Sequence, residues 1–200
     1  MVIALAHAFV GDGGPGAGFM HPLTGPDHLL AMFAVGILSA QIGGKAVATV
    51  PSAFVLAMIA GGMLGLARVL LPGAELGVAA SVVVLGAAVA VGARTPLWAV
   101  HAAAGLFGLF HGFAHGAEMP VAASPALYAL GFAVSTAGVH ALGALTGLLV
   151  LCRAHGPTRL RWSGAAIGIA GLLSVASVVR QTRPAPAPNV TLTRAAAAAP

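Results

Sequence analysis

Charge is what this sequence has least of. Only 6% of its 200 residues are Asp, Glu, Lys or Arg, against about 25% in an average soluble domain. Hydrophobic residues make up 59% of the chain, and mean hydropathy is +1.00. This balance excludes an ordinary soluble domain and predicts a polytopic membrane protein whose main partner is the lipid bilayer.

Other scarce features exclude further classes. The single cysteine, Cys152, excludes an intrachain disulfide and a thiolate metal cluster. No Walker A pattern occurs, so this chain carries no P-loop for ATP-driven transport. The net charge of +5 comes from Lys and Arg scattered singly between apolar runs, which excludes a basic face for nucleic acid. Oligomeric state stays open, with a homo-oligomer as one option.

Six apolar runs are long enough to cross a bilayer core, which takes about 20 helical residues. They lie near 26–43, 47–71, 75–93, 96–117, 125–152 and 160–180. Small-residue spacing inside the second, fifth and sixth runs allows helices to pack closely; its members are Gly61, Gly62, Gly65, Gly143, Gly147, Gly164, Gly168 and Gly171. The predicted fold is an all-α membrane protein, a bundle of about six transmembrane helices.

The two ends of the chain differ from its body. Residues 1–6 are predicted to be the remnant of a signal peptide, because Ala4-Leu5-Ala6 is an A-x-A cleavage pattern; a disordered leader with a chance match is the alternative. Residues 7–182 are then expected to form a single transmembrane domain of six helices. Residues 183–200, where the apolar run ends, are predicted to be a disordered tail.

Charge sets the expected orientation. The connections after the first, third and fifth runs carry Lys45, Arg94, Arg153, Arg159 and Arg161. The opposite side carries Arg68 and all four acids, Asp12, Asp27, Glu75 and Glu118. The positive-inside rule therefore predicts that the first group is cytoplasmic and that both termini are extracytoplasmic.

The stretch HGFAHGAE at 111–118 predicts a metal site. His111, His115 and Glu118 are four and seven residues apart, which places them on one face of a helix. Imidazole and carboxylate suit divalent nickel, cobalt, zinc or copper. Packing is the usual role of one histidine on an apolar helix, but three such residues on one arc favour ligation. Glu118, at the C-terminal end where the macrodipole disfavours an anion, is expected to be protonated, hydrated or held by a cation.

The stretch HPLTGPDH at 21–28 supplies further donors. Asp27 and His28 follow Pro26, which suits the first turn of a helix; Asp27 is either a ligand or a capping carboxylate. His21 lies just before, and Met32 one turn beyond His28, as a thioether donor or a packing residue. Because both motifs lie at the outer ends of their helices, one cluster is expected: His21, Asp27, His28, His111, His115 and Glu118.

Three more histidines extend this pattern. His7, the first residue after the predicted cleavage, offers an amine and an imidazole at the mouth. His101 and His140 lie deeper in the fourth and fifth runs, where they are either stepping stones across the membrane or packing and hydrogen-bonding residues.

Together these residues resemble the HupE/UreJ family of nickel and cobalt permeases. The resemblance runs from about His7 to Arg180 and rests on HPLTGPDHLLAM at 21–32 and HGFAHGAE at 111–118. It implies a multi-pass protein of the bacterial inner membrane that admits Ni²⁺, or sometimes Co²⁺, for hydrogenase or urease maturation. The ion is cargo, so no cofactor is expected. The short leader and the alanine- and proline-rich tail depart from the family pattern.

Other functions use the same residues. An intramembrane zinc-dependent hydrolase could place zinc on His111 and His115 with Glu118 as base, although the HExxH order is absent. A serine protease built on Ser135 and His140 lacks the G-x-S-G context. Haem held by paired histidines is a third alternative. A permease needs many weak ligands along a path, and the spread of histidines favours it.

Overall fold

The computed structural model describes residues 15–119 and 124–182, and its regular structure there is entirely helical. In chain order the α-helices are α1 (Pro15–Thr24), α2 (Pro26–Ile42), α3 (Ala46–Leu66), α4 (Ala74–Val91), α5 (Leu97–Ala117), α6 (Pro125–Leu151) and α7 (Gly156–Gln181). A short 3₁₀ turn, Gly92–Arg94, follows α4. The predicted leader, His7 and the predicted tail lie outside the described residues.

The helices match the predicted spans. Helices α3 to α7 are each long and apolar enough to cross a membrane. Helices α1 and α2 pass the same test together as a pair bent by 89°, which is either a broken sixth span or a re-entrant loop. The prediction of an all-α bundle of about six transmembrane helices is therefore confirmed. Helix α1 was not predicted, because Pro15, Pro22 and the glycines between them are poor helix formers.

Glycine contacts hold three helix pairs together. Helix α3 lies against α5, α4 against α7, and α2 against α6. At these contacts a Cβ would clash with the backbone of the facing helix. Such positions include Gly61 and Gly65 on α3, Gly108 and Gly112 on α5, Gly86 and Gly164 between α4 and α7, and Gly36 and Gly143 between α2 and α6. Close backbone approach is a common way to pack helices in lipid, where no hydrophobic effect drives association.

The short helix α1 is fixed by the same kind of contact. A Cβ on Gly18 would clash with the carbonyl group of Tyr128 in the first turn of α6. Helix α1 therefore lies directly on α6, at the end of the bundle where α5 finishes.

The acidic residues that the structure describes lie at one end of the bundle, and most of the basic ones lie at the other. At one end Arg161 Nε donates to the carbonyl oxygen of Ala90 at 3.1 Å, and Arg94 and Arg161 line one cavity. At the other end Asp27, Glu75 and Glu118 line a second cavity. The grouping of basic and acidic residues agrees with the sequence pattern, while the side of the membrane that each end faces stays a prediction from the positive-inside rule.

Replacing Gly61 by Ala should destabilise the bundle. The new methyl group would meet the carbonyl of Leu109 on α5, and overpacking of this kind costs about 1–3 kcal/mol. Gly105→Ala is the matched control, because nothing lies within 4 Å of a Cβ there. Thermal unfolding of the two purified variants in detergent should show a lower midpoint for Gly61→Ala only. Equal midpoints would contradict the close α3–α5 contact.

Candidate metal site

A bend between the first two helices brings the HPLTGPDH stretch together. Gly25 is extended, with φ −91° and ψ 113°, the conformation favoured by a residue that precedes proline. A Cβ at Gly25 would lie 2.9 Å from His28 Nδ1 and 3.2 Å from Asp27 Oδ1. The bend and the absence of a side chain at Gly25 thus leave room for the side chains of Asp27 and His28.

The Asp27 carboxylate contacts His28 in two ways. Its Oδ1 accepts a hydrogen bond from the backbone N–H of His28 at 2.9 Å and lies 2.9 Å from Nδ1 of the same residue. An ionised carboxylate can only accept, so Nδ1 carries the proton and Nε2 keeps its lone pair. The residue at the N-cap of α2 is Gly25, without a side-chain capping bond. Asp27 is therefore placed to orient His28.

Two histidines of α5 meet His28. The ring centroid of His28 lies 4.7 Å from that of His111 and 4.5 Å from that of His115. Both α5 histidines are buried, at 0% and 2% exposure respectively. Phe132 of α6 packs on His115 with ring centroids 4.2 Å apart, so an apolar wall closes this side of the cluster.

Ser81 of α4 orients His111. The Ser81 hydroxyl donates to the carbonyl oxygen of Val78 and lies 2.9 Å from His111 Nε2. Because its one proton is used, the hydroxyl accepts from Nε2–H, and the lone pair of His111 is left on Nδ1. A serine on a neighbouring helix thus selects the tautomer of an intramembrane histidine.

His21 and Glu118 form the outer edge of the cluster. His21 Nε2 lies 3.2 Å from Glu118 Oε2, and the His21 ring centroid lies 4.7 Å from that of His115. The hydrogen bond with His21 lowers the pKa of the Glu118 carboxyl below its ordinary value, against the opposing effect of partial burial. The sequence analysis expected Glu118 to be protonated, hydrated or held by a cation. In the structure its carboxylate lies beside the imidazole of His21.

The cluster forms a row that leads into the bundle. The Glu118 side chain is 62% exposed and that of His21 30%, whereas His111 is fully buried. Beside this row a cavity of about 360 Å³ is lined by residues that include Asp27, His28, Glu75 and Glu118. We call this cavity the acidic vestibule.

Several ring nitrogens in the row have no hydrogen-bond partner. They are His28 Nε2, His111 Nδ1 and both nitrogens of His115. Buried polar atoms are nearly always paired in native proteins, so each such atom needs an explanation. Among residues 15–119 and 124–182, however, no group of three His, Cys, Asp or Glu side chains could hold a metal ion as it stands. The donors are neighbours, and ligation of one ion requires the rings to turn.

The remaining predicted residues lie apart from the row. Met32 is fully buried in the apolar core. His101 contacts the Leu97 carbonyl oxygen through Nδ1 at 2.9 Å and the Thr49 hydroxyl through Nε2 at 3.0 Å. His140 is buried beside Phe54, with ring centroids 5.1 Å apart. Of the two roles that the sequence left open for His101, these contacts agree with the hydrogen-bonding one.

Three residues that the structure adds to the site were not assigned to it from the sequence. Ser81 orients His111, and Glu75 lines the acidic vestibule. Tyr128 lies 6.0 Å from His21, ring to ring. Glu75 could have been found as one of only four acids on the predicted outer side. Nothing in the sequence distinguishes Ser81 from a serine that packs within a helix.

Comparisons with known proteins agree with this architecture. A model of the HupE / UreJ protein family matches residues 1–174. The chain is 41% identical to Protein HupE of Rhizobium leguminosarum bv. viciae over 170 residues, which cover 84% of this chain and 88% of that protein. No solved structure matches the chain. With its apolar helices and this match over most of its length, the chain is a multi-pass protein of the bacterial inner membrane and belongs to the HupE/UreJ family.

Proposed function

We propose that this chain is a permease that carries a divalent transition metal ion across the bacterial inner membrane. Ni²⁺ is the first candidate and Co²⁺ the second, and the cargo would supply hydrogenase or urease maturation. The observation that carries this proposal is the row of imidazoles from α1, α2 and α5, with unpartnered ring nitrogens, beside the acidic vestibule.

Each part of the row has a task in this proposal. Carboxylates of the acidic vestibule attract cations, because a cleft of one charge sign raises the local concentration of counter-ions. Asp27 orients His28 so that Nε2 faces the ion as a ligand, and Ser81 does the same for Nδ1 of His111. Ring nitrogens would replace water ligands in turn as the ion moves inward. Conduction requires ligands that bind the ion and also release it, so donors that are not fixed around one point suit a path.

The choice of nickel rests on the family. Nitrogen and oxygen donors bind cobalt, zinc and copper too, and the affinity of such a site depends more on which metal is bound than on the details of the site. The geometry of an open row adds no preference among these ions.

The hydrolase alternative fits the contacts less well. A zinc hydrolase on His111 and His115 needs its carboxylate base beside the metal-bound water. Glu118 instead contacts His21 at the exposed edge of the cluster. We therefore propose transport, rather than catalysis, as the activity of this site.

Alanine at His28 or at His115 should abolish metal uptake while membrane abundance stays normal. Each substitution removes a central imidazole of the row, and even residues that only support ligands contribute about 10–100-fold to metal affinity. Uptake of Ni²⁺ by cells that lack their own nickel importers measures the effect. His155→Asn is the control, since His155 lies in the connection before α7 with φ 60°, a conformation that Asn tolerates. Normal uptake by both alanine variants would remove the cluster from the pathway.

Glu118→Gln separates a permease from a hydrolase. Loss of the carboxylate should reduce bound metal and uptake together, and Glu118→Asp should weaken them less because it keeps the charge. A hydrolase base would behave differently, since Gln would leave zinc bound and stop only the chemistry. Bound metal and vesicle uptake are measured side by side. Tight metal retained in the Gln variant, with no ion flux in the unmodified protein, would favour the enzyme.

A further inference from the structure

We infer that His140 is a second binding site for the same divalent cation, which we call the inner station. The ring of Phe54 separates it from the row formed by His21, His28, His111 and His115, which we call the outer row. This inference rests on the proposed transport function. It adds a site in the half of the bundle that the outer row does not reach.

His140 is buried and has unused donors. The residue is 2% exposed, and neither of its ring nitrogens has a hydrogen-bond partner. By contrast, His101 in the same half of the bundle contacts the Leu97 carbonyl oxygen and the Thr49 hydroxyl. A buried imidazole without a partner loses its hydration for nothing in return, unless water or an ion reaches it.

Phe54 lies between the outer row and His140. Its ring centroid is 5.3 Å from that of His111 and 5.1 Å from that of His140, with the latter two rings perpendicular. Phe54 itself is fully buried. An apolar ring between two imidazoles is a hydrophobic constriction, which stops ions by excluding water.

The backbone that carries Phe54 is held firmly. A Cβ on Gly108 would clash with the Phe54 carbonyl group, so α3 and α5 touch at this level. Movement of the Phe54 side chain, rather than separation of α3 from α5, is therefore the smaller change that would open a path from His111 to His140.

A cavity continues the path beyond His140. It measures about 650 Å³ and lies between α3 and α6. Its lining includes His140 and extends from Val47 in the first turn of α3 to Leu148 in the last turn of α6. Both of these turns lie at the end of the bundle that carries Lys45 and Arg153. His140 thus lies between Phe54 and a cavity that extends along α3 and α6 toward the end of the bundle opposite the acidic vestibule.

Full-length protein in proteoliposomes tests the inner station with Ni²⁺ alone as the probe. His140→Leu and His140→Gln should each lower the initial uptake rate about ten-fold or more, the size expected when a metal-binding residue is lost. Ni²⁺ binding at the outer row, measured by equilibrium dialysis, should stay within about two-fold of the unmodified protein. If His140 were needed only for packing against Phe54, the His140→Leu variant would keep normal uptake.

Thr146→Val is the matched control. It lies on α6 beyond His140, and its hydroxyl bonds only the Leu142 carbonyl of its own helix, so uptake should not change. Normal uptake by His140→Leu would overturn the inner station while leaving the outer row intact. Absence of Ni²⁺ flux in the unmodified protein would instead overturn the transport proposal itself.

A labelling experiment covers the case in which the His140 variants do not fold. Ser52 lines the inner cavity, and the chain has one native cysteine, so Ser52→Cys is made together with Cys152→Ser. A water-soluble maleimide should label Cys at 52 from the basic end of the bundle, and Ni²⁺ should slow the labelling. A thiol that stays unlabelled would show that water does not reach the cavity and would overturn the inference.

Discussion

Close backbone contact between helices is the constraint on which the rest of this structure depends. Gly112 and Gly116 press α5 against α3, where a Cβ on either residue would clash with an α3 carbonyl. His111 and His115 each precede one of these glycines, so a rotation of about 100° per residue turns them off the line of backbone contact with α3. They face the bundle interior, where His28 of α2 meets both. The glycines thereby determine where the imidazoles point.

Burial of the histidines leaves ring nitrogens free to bind a cation, but it also lowers the stability of the fold. Polar groups taken out of water must be paired, or they reduce stability by about 1–3 kcal/mol each. Asp27 and Ser81 each engage one nitrogen of a histidine and leave the other free. Buried imidazoles with free lone pairs are poor elements of a core and good ligands for a cation. The same geometry that leaves them unpaired therefore points to function rather than to packing.

Much of this architecture could be predicted from sequence because membrane spans have a strong length and hydropathy signal. His111, His115 and Glu118 fall on one face by helical geometry alone, so the sequence predicts them as neighbours, and the structure brings His111 and His115 to His28. The right-angle bend at Gly25 and helix α1 could not be predicted from sequence, because proline and glycine indicate that a helix breaks but not at what angle. His101 and His140 are equivalent in sequence, and the sequence does not reveal that the Thr49 hydroxyl of α3 contacts His101 while no side chain bonds His140.

Apart from His115, which has no hydrogen-bond partner at either ring nitrogen, support for the histidines decreases from the exposed edge of the row inward. At the mouth, carboxylates contact His21 and His28; deeper, a neutral hydroxyl contacts His111; beyond Phe54, His140 has no partner. A carboxylate raises the basicity of the imidazole that it orients, and a hydroxyl does so less. Affinity for a cation should therefore be greatest at the acidic end and fall toward the basic end, where positive side chains also repel it. Under the proposed transport function, this gradient would favour capture at one end and release at the other, with movement limited to the imidazoles and the Phe54 ring.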